Sequence, residues 1–287
     1  MNDLKRAYLQ AKQLEGLAPN TISEYDAKIS RFVNSTDTEI HEVTTEMLRE
    51  YLATLSAHKT STISVHITIL KSWFNWLVEN GELEKNPMGK IPKPKAIENY
   101  PFVLSVDDVK LLIRAAGKNA RDKAIVMLLV DTGLRASELC GIHLGDVDQE
   151  GRSIVVRNGK GGKPRIVFYG EDAQVALLSW LSKRSTESSY LFPSTRREKL
   201  DKDSLRLILK RLGEKAGISS EKRVSPHTLR HTFATFYAAS GGGSHALQVL
   251  LGHADTRMAE RYVNLAGQEI KDLYNRHSPL AFMKGGV

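Results

Sequence analysis

Apolar residues recur at helical spacing from about residue 3 to residue 86. Leu4, Tyr8, Leu9 and Leu14 begin a first amphipathic segment, and Ile22, Tyr25, Ile29, Phe32 and Val33 stripe a second that starts near Pro19-Asn20-Thr21. That i, i+3, i+7 recurrence marks one buried helix face. Thr44 stands as an N-cap, with Glu46 in the first turn and Met47, Leu48, Tyr51, Leu52 and Leu55 behind it. A fourth helix is predicted over 61–80, with Ile63, Ile67, Leu70, Phe74 and Leu77 inward and Asn80-Gly81 as its stop. Trp73 and Trp76 fall with the core or its packing surface. The pattern predicts a small helical bundle.

The periodicity breaks over 86–100, where three prolines favour an extended path and Lys90, Lys93 and Lys95 add charge. A second domain follows. Ser105-Val-Asp-Asp108 has the form of a capping box, and the apolar run Ala124–Val130 predicts a helix at the domain centre. Gly133 marks a turn into a short helix holding Arg135 and Glu138. Ser153–Val156 and Arg165–Phe168 alternate like strands, and Asn158-Gly159 between them signals a hairpin with Lys160 and Lys163 at its tip. Helices are expected over 172–184 and 203–216. Another is capped by Ser225, has Pro226 at its first position, and ends in Ser240-Gly-Gly-Gly-Ser244. Short helices follow over 246–251, 256–264 and 267–275. The boundaries expected are a helical domain over 1–88, a basic linker over 89–101 and a second domain over 102–287.

Charge narrows the class. The 287 residues carry 41 Lys+Arg against 33 Asp+Glu, a net charge of +8, which is compatible with a polyanionic partner. No apolar run is long enough to span a membrane and no signal peptide opens the chain, so a cytoplasmic location is expected. A single cysteine, Cys140, excludes an internal disulfide and any cysteine-rich zinc module. It follows Glu138-Leu139 in an apolar segment and fits a buried hydrophobe. The start of the fourth helix gathers His58, Lys59, Thr60, Ser61, Thr62, Ser64, His66, Thr68 and Lys71. Such residues suit phosphate contacts, because the first N–H groups of a helix are free donors, although an ordinary solvated helix face has the same composition.

The chemistry is densest near the C-terminus. Arg135 follows Thr-Gly-Leu in the predicted turn, and Arg230 lies three residues after His227, on nearly the same helix face. Two arginines can satisfy both non-bridging oxygens of one phosphodiester with planar, permanently charged donors. A histidine beside them can move protons near neutral pH, and Lys160 on a hairpin tip can reach a leaving oxygen. A free tyrosine is ionised in only about one molecule per thousand at pH 7, so Tyr262 would need such a cationic cluster and a base to become a nucleophile. Tyr237 competes with it on composition alone and fits the core better. The His227/His231 spacing could suggest zinc, but no glutamate follows His227 and no third ligand is evident. Glu138 offers Arg135 an ordinary ion-pair partner.

The ordered set is more specific than its parts. Thr132-Gly-Leu-Arg135-Ala-Ser-Glu-Leu139, Gly159-Lys160-Gly161, His227-Thr-Leu-Arg230-His-Thr-Phe-Ala-Thr235, Leu250-Leu-Gly-His253 and Tyr262 together resemble the tyrosine recombinase (phage integrase) family, most closely its two-domain, Xer-like members. The resemblance covers nearly the whole chain. It implies a mainly α fold: a helical, SAM-like core-binding domain, then a mixed but mostly helical catalytic domain with a small antiparallel sheet. By position, it implies that Arg135 and Arg230 bind the scissile phosphate and that Tyr262 attacks it to leave a 3′-phosphotyrosine. Lys160 would protonate the leaving 5′-oxygen, His227 would serve proton transfer, and His253 would hydrogen-bond the phosphate. No metal or cofactor is implied. The implied partners are double-stranded DNA carrying specific recombination sites, reached through Lys59, Thr60, Ser61, Lys71, Lys93, Lys95 and Lys163, and further copies of the chain in a tetramer on DNA. The C-terminal segment, Gly267 to Asn275 followed by Leu280-Ala-Phe-Met283, would dock on a neighbouring copy. The rival readings are a type IB topoisomerase-like enzyme and a non-catalytic DNA-binding regulator.

Overall fold

The computed structural model describes residues 1–94, 102–157, 164–196, 198–218, 222–252, 274–275 and 277–284. The chain divides into two compact units, Met1–Asn99 and Tyr100–Val287.

The first unit contains α1 (Asn2–Leu14), α2 (Pro19–Val33), α3 (Thr45–Ala53) and α4 (Thr60–Glu79). Their starts follow local chemistry. Pro19 occupies the first turn of α2, where its missing N–H costs nothing. The Thr44 hydroxyl accepts the Met47 N–H and opens α3. Ile29, Phe32, Leu48, Leu55, Leu70, Trp73, Phe74 and Leu77 form the core, with Trp76 packed partly against it. Leu14 departs from the expected stripe: it is 90% exposed, because α1 ends there and the chain turns at Gly16 with positive φ. Met88 and Ile91 are buried in this same core, so the start of the proline-rich stretch packs on the bundle.

His66 corrects another expectation. It shares the inward face of α4 with Ile67, Ile69 and Leu70, not the polar start of the helix. Its ring is fully buried, with Nδ1 3.2 Å from the Tyr51 hydroxyl. Burial, aided by the charges of Lys28, Arg31 and His58, pushes its pKa down to about 4.

The second unit is built around α6 (Ala120–Thr132), in which every residue from Ala124 to Thr132 is buried. It packs against α5 (Val106–Ala116), α8 (Glu171–Lys183) and α10 (Pro226–Ala239). A helix apolar on all sides requires cover on all sides. The remaining elements are α7 (Ala136–Cys140), β1 (Val147–Asp148), β2 (Ser153–Val156), β3 (Arg165–Phe168), α9 (Lys202–Lys215), α11 (Ser244–Leu251) and α12 (Pro279–Lys284). The capping box at Ser105 is present, with Ser105 and Asp108 each accepting the other's backbone N–H. The strands form one antiparallel sheet in the order β1-β2-β3, with Val155 opposite Ile166. β1 is two residues long, too short for alternation to reveal it. The hairpin tip lies outside the described residues. Cys140 is buried, and burial lifts its thiol pKa to about 11, so it is an inert hydrophobe.

The end of the chain is integral to this unit. Leu280 and Met283 lie within the domain's own core, where α12 meets α6 and α10. The fully buried carboxylate of Asp131 accepts the Gly170 N–H at 2.6 Å and the Ser278 hydroxyl at 2.8 Å, and the Tyr274 hydroxyl donates to the Asp131 carbonyl at 2.9 Å. Of the segment expected to dock on a neighbouring copy, Leu280 and Met283 are thus buried in this chain's own core while Phe282 is exposed, and residues 267–273 lie outside the described residues.

The His66 ring yields a pH prediction. Its folded pKa lies below the unfolded value, so between about pH 6.5 and pH 4 only the unfolded chain takes up the proton. Stability should therefore fall with decreasing pH by up to about 1.4 kcal/mol per unit in that window. Denaturant titrations of the full chain followed by tryptophan fluorescence should show this slope. His66→Leu should flatten it, and an unchanged slope would contradict the assignment.

Candidate active site

Three turns converge in the second unit. The first ends α6. Gly133 adopts the left-handed conformation (φ 62°) and closes the helix onto the Leu129 carbonyl. A Cβ at this position would lie 2.5 Å from the Phe233 ring, so the site excludes side chains sterically as well as conformationally. Arg135 then sits as the N-cap of α7, just outside the helix. The Glu138 carboxylate accepts its backbone N–H at 2.7 Å and its guanidinium Nη1 at 2.8 Å.

The second turn starts α10. The Ser225 hydroxyl accepts the Thr228 N–H, and Pro226 takes the first helical position. This sets the phase that turns Leu229, Phe233 and Tyr237 into the core and carries Arg230 inward with them. Arg230 is only 7% exposed. It donates through Nη1 to the Gly133 carbonyl and through Nη2 to the Leu251 carbonyl, both at 2.6 Å.

The third turn ends α11, where Gly252 is again left-handed (φ 61°). Its last carbonyls are shared among three arginines. Arg165 donates through Nε to Leu250 at 2.9 Å, Arg230 to Leu251, and Arg135 through Nη2 to Gly252 at 3.3 Å. A helix C-terminus leaves carbonyls without intrahelical partners and carries partial negative charge, so cations are favoured there. Each guanidinium has five N–H donors. Among the described residues Arg135 and Arg230 each spend two of them on side-chain bonds.

Burial and Arg135 lower the Arg230 pKa to about 10, and Glu138 opposes that shift, so the group is cationic at neutral pH. Burial works to raise the Glu138 pKa, but the bonds from Arg165 and Arg135 outweigh it and hold the carboxylate at about 2. Arg230 and Glu138 are thus both ionised at neutral pH.

His227 is exposed on the first turn of α10, and its Nε2 lies 2.8 Å from Nε2 of the partly buried His231. One nitrogen must donate and the other accept, so the two rings share a single proton at that contact. Burial, with His227 and Arg230 nearby, lowers the His231 pKa and keeps that ring neutral. Among the described residues no third His, Cys, Asp or Glu joins the pair to form a metal set. His231 was passed over as a proton-handling residue in the sequence. Its i+4 spacing from His227 was the available signal.

Tyr237 is buried in the core and burial raises its pKa, the reverse of what a nucleophile needs. The glycine run after α10, expected to be soft, is built closely. Gly241 is left-handed (φ 87°), and a Cβ on Gly242 would lie 2.2 Å from the Tyr237 ring. In the first unit, Lys59 is the N-cap of α4, with no side-chain cap bond. Lys59, Ser61 and Lys93 are exposed, while Thr60 and Lys71 are half-buried. Lys95, Lys160, Lys163, His253 and Tyr262 lie outside the described residues.

A helical unit followed by a mostly helical domain that gathers arginines at one helix end is the organisation of tyrosine recombinases, enzymes that break and rejoin DNA strands. Comparison with known proteins gives the same class. The phage integrase family matches residues 103–269, and its N-terminal SAM-like domain matches residues 7–81. The chain is 35% identical over 280 residues to tyrosine recombinase XerA of Pyrococcus furiosus, covering 96% of this chain and 93% of that one. It is 31% identical over 306 residues to tyrosine recombinase XerD of Rhizobium meliloti, covering 98% of each. A solved lambda integrase (75-356) dimer bound to a COC′ core site shares the fold at TM-score 0.75, with 21% identity, over 91% of this chain and 94% of that chain. The chain belongs to the phage integrase family. Among the described residues no helix is long and apolar enough to cross a membrane.

Gly133 can be tested against another left-handed glycine. Gly217 has φ 68° and open space where a Cβ would stand, whereas Gly133 faces Phe233. Gly217→Ala should cost about 1–2 kcal/mol, the conformational term alone. Gly133→Ala should cost roughly 1–3 kcal/mol more for overpacking. Thermal unfolding of the two variants measures the difference, and equal losses would contradict the packing argument.

Proposed function

We propose that the chain is a site-specific DNA recombinase that cleaves and rejoins strands through a 3′-phosphotyrosine at Tyr262. The observation that carries this reading is the placement of Arg135 and Arg230 on adjacent carbonyls of one helix end. Two fixed cations that near each other suit the two non-bridging oxygens of one phosphodiester. The Tyr262 oxygen attacks phosphorus, the bond to the 5′-oxygen breaks, and Lys160 protonates that oxygen. His227 handles the tyrosine proton, with His231 as the second ring of the pair, and His253 donates to the phosphate. The ester energy stays in the protein–DNA bond, so attack by another 5′-hydroxyl reseals the strand without a metal or cofactor.

In this reading residues 1–88 form the core DNA-binding domain, 89–101 a basic linker and 102–287 the catalytic domain. Double-stranded DNA carrying specific recombination sites is the partner. Lys59, Thr60, Ser61, Lys71, Lys93, Lys95 and Lys163 contact its backbone, and a tetramer of this chain performs the exchange. The working location is the cytoplasm, at the nucleoid.

A nicked suicide duplex tests the reading. Wild type should form a covalent adduct without added metal, and Tyr262→Phe should form none. An adduct in the Phe variant would assign the nucleophile elsewhere. Arg135→Ala and Arg230→Ala should each slow cleavage on the order of 10³–10⁵-fold, the range for arginines at transferring phosphoryl groups. A loss under about tenfold would contradict the clamp.

A further inference from the structure

The clamp uses Arg135 and Arg230 and leaves a third arginine of the cluster without a role. Arg165 is the first residue of β3, and its side chain is 9% exposed. Nη1 and Nη2 meet the two oxygens of Glu138 at 2.7 and 2.8 Å, fork to fork, and Nε takes the Leu250 carbonyl. Its stem runs beside the α11 terminus, where a Cβ on Gly252 would stand 3.0 Å from its Cδ. All three nitrogens of the Arg165 guanidinium are thus bonded within the protein, whereas Arg135, 26% exposed, is the more open of the two arginines on Glu138.

A buried carboxylate with one arginine partner would close on that partner and neutralise it. Here Glu138 must hold Arg135 in place yet leave its charge available. Three guanidinium groups and one carboxylate leave the cluster with two positive charges. Attack of a phenolate on a phosphodiester gathers two negative charges at phosphorus. Without Arg165 the cluster would carry one positive charge, and Glu138 would be left to draw on Arg135.

Building on the recombinase reading, we propose that Arg165 is a positioning residue for strand cleavage. It occupies both oxygens of Glu138 so that Arg135 stays available to the scissile phosphate, and it pins the Leu250 carbonyl beside those held by Arg230 and Arg135. The role is not bulk stability, and a paired substitution separates the two.

The test uses the full chain and the nicked suicide duplex, with single-turnover cleavage, duplex affinity and thermal unfolding measured for each variant. Arg165→Met should slow cleavage about 10- to 100-fold, as loss of a group that orients a site's direct ligands does. Its affinity for the duplex should stay within about twofold, the scatter expected of a site with no DNA contact. Adding Glu138→Gln removes the unbalanced carboxylate and should restore part of the lost rate. Arg165→Lys keeps the charge without the fork and should also lose about tenfold, which carries the test if the Met variant unfolds. Wild-type cleavage by both Arg165 variants would overturn the inference, as would losses from Arg165→Met and Glu138→Gln that simply multiply. Tyr262→Phe, run alongside, keeps the two claims apart. If wild type forms no adduct, the recombinase reading falls and this inference with it. If the adduct forms and depends on Tyr262 while the Arg165 variants cleave at full rate, only the inference falls.

Discussion

Three arginines from distant parts of the chain hold three consecutive carbonyls at the end of α11, and the second unit is organised by that requirement. Arg165 comes from β3, Arg230 from α10 and Arg135 from the turn after α6. Each bond satisfies a helix-end oxygen that would otherwise lack a partner. Bringing three guanidinium groups together is unfavourable in itself, and after burial, the larger cause, the charges of Arg135 and Arg165 add to the lowering of the Arg230 pKa. The helix terminus and the Glu138 carboxylate offset that repulsion without neutralising the cluster. The cluster therefore keeps a net positive charge.

The rest of the unit sets the positions of those arginines. The Ala124–Val130 stretch of α6 must be apolar because it is covered by α5, α8 and α10, and the Gly133 carbonyl that follows the helix is then fixed where Arg230 can use it. Gly133 and Gly252 end their helices in the left-handed conformation, and Gly133 also leaves room for Phe233. Asp131 ties the terminal segment back to α6 through Ser278, next to the turn that carries Arg135. The pieces of the site that must be immobile therefore rest on the most buried helix of the domain.

Much of this was legible in the sequence because it is local. The caps at Thr44, Ser105 and Ser225, the apolar run of α6 and the Arg135–Glu138 pair all follow from contacts within a few residues. What was not legible depends on distant contacts. Arg165 looked like one residue of an alternating strand, and only folding brings it to Glu138, 27 residues away. Glu138 was read as a simple partner of Arg135, because sequence spacing does not show competition for its oxygens. His66 was assigned to a polar helix start by its neighbours in sequence, though its spacing from Ile63 and Leu70 already placed it on the inward face. Leu280 and Met283 were expected on a neighbouring copy because their partners lie on α6 and α10, far back in the chain.

The arginine cluster is assembled without DNA, and we propose that it receives one phosphate without rearranging. A crystal structure of the protein on an uncleaved duplex tests it most directly. The account predicts Arg135 and Arg230 each at about 2.7–2.9 Å from a non-bridging oxygen of the same phosphodiester, with the Arg165–Glu138 fork and the bonds to Leu250, Leu251 and Gly252 intact. A phosphate bound by Arg165 itself, or a cluster taken apart to receive it, would contradict the account.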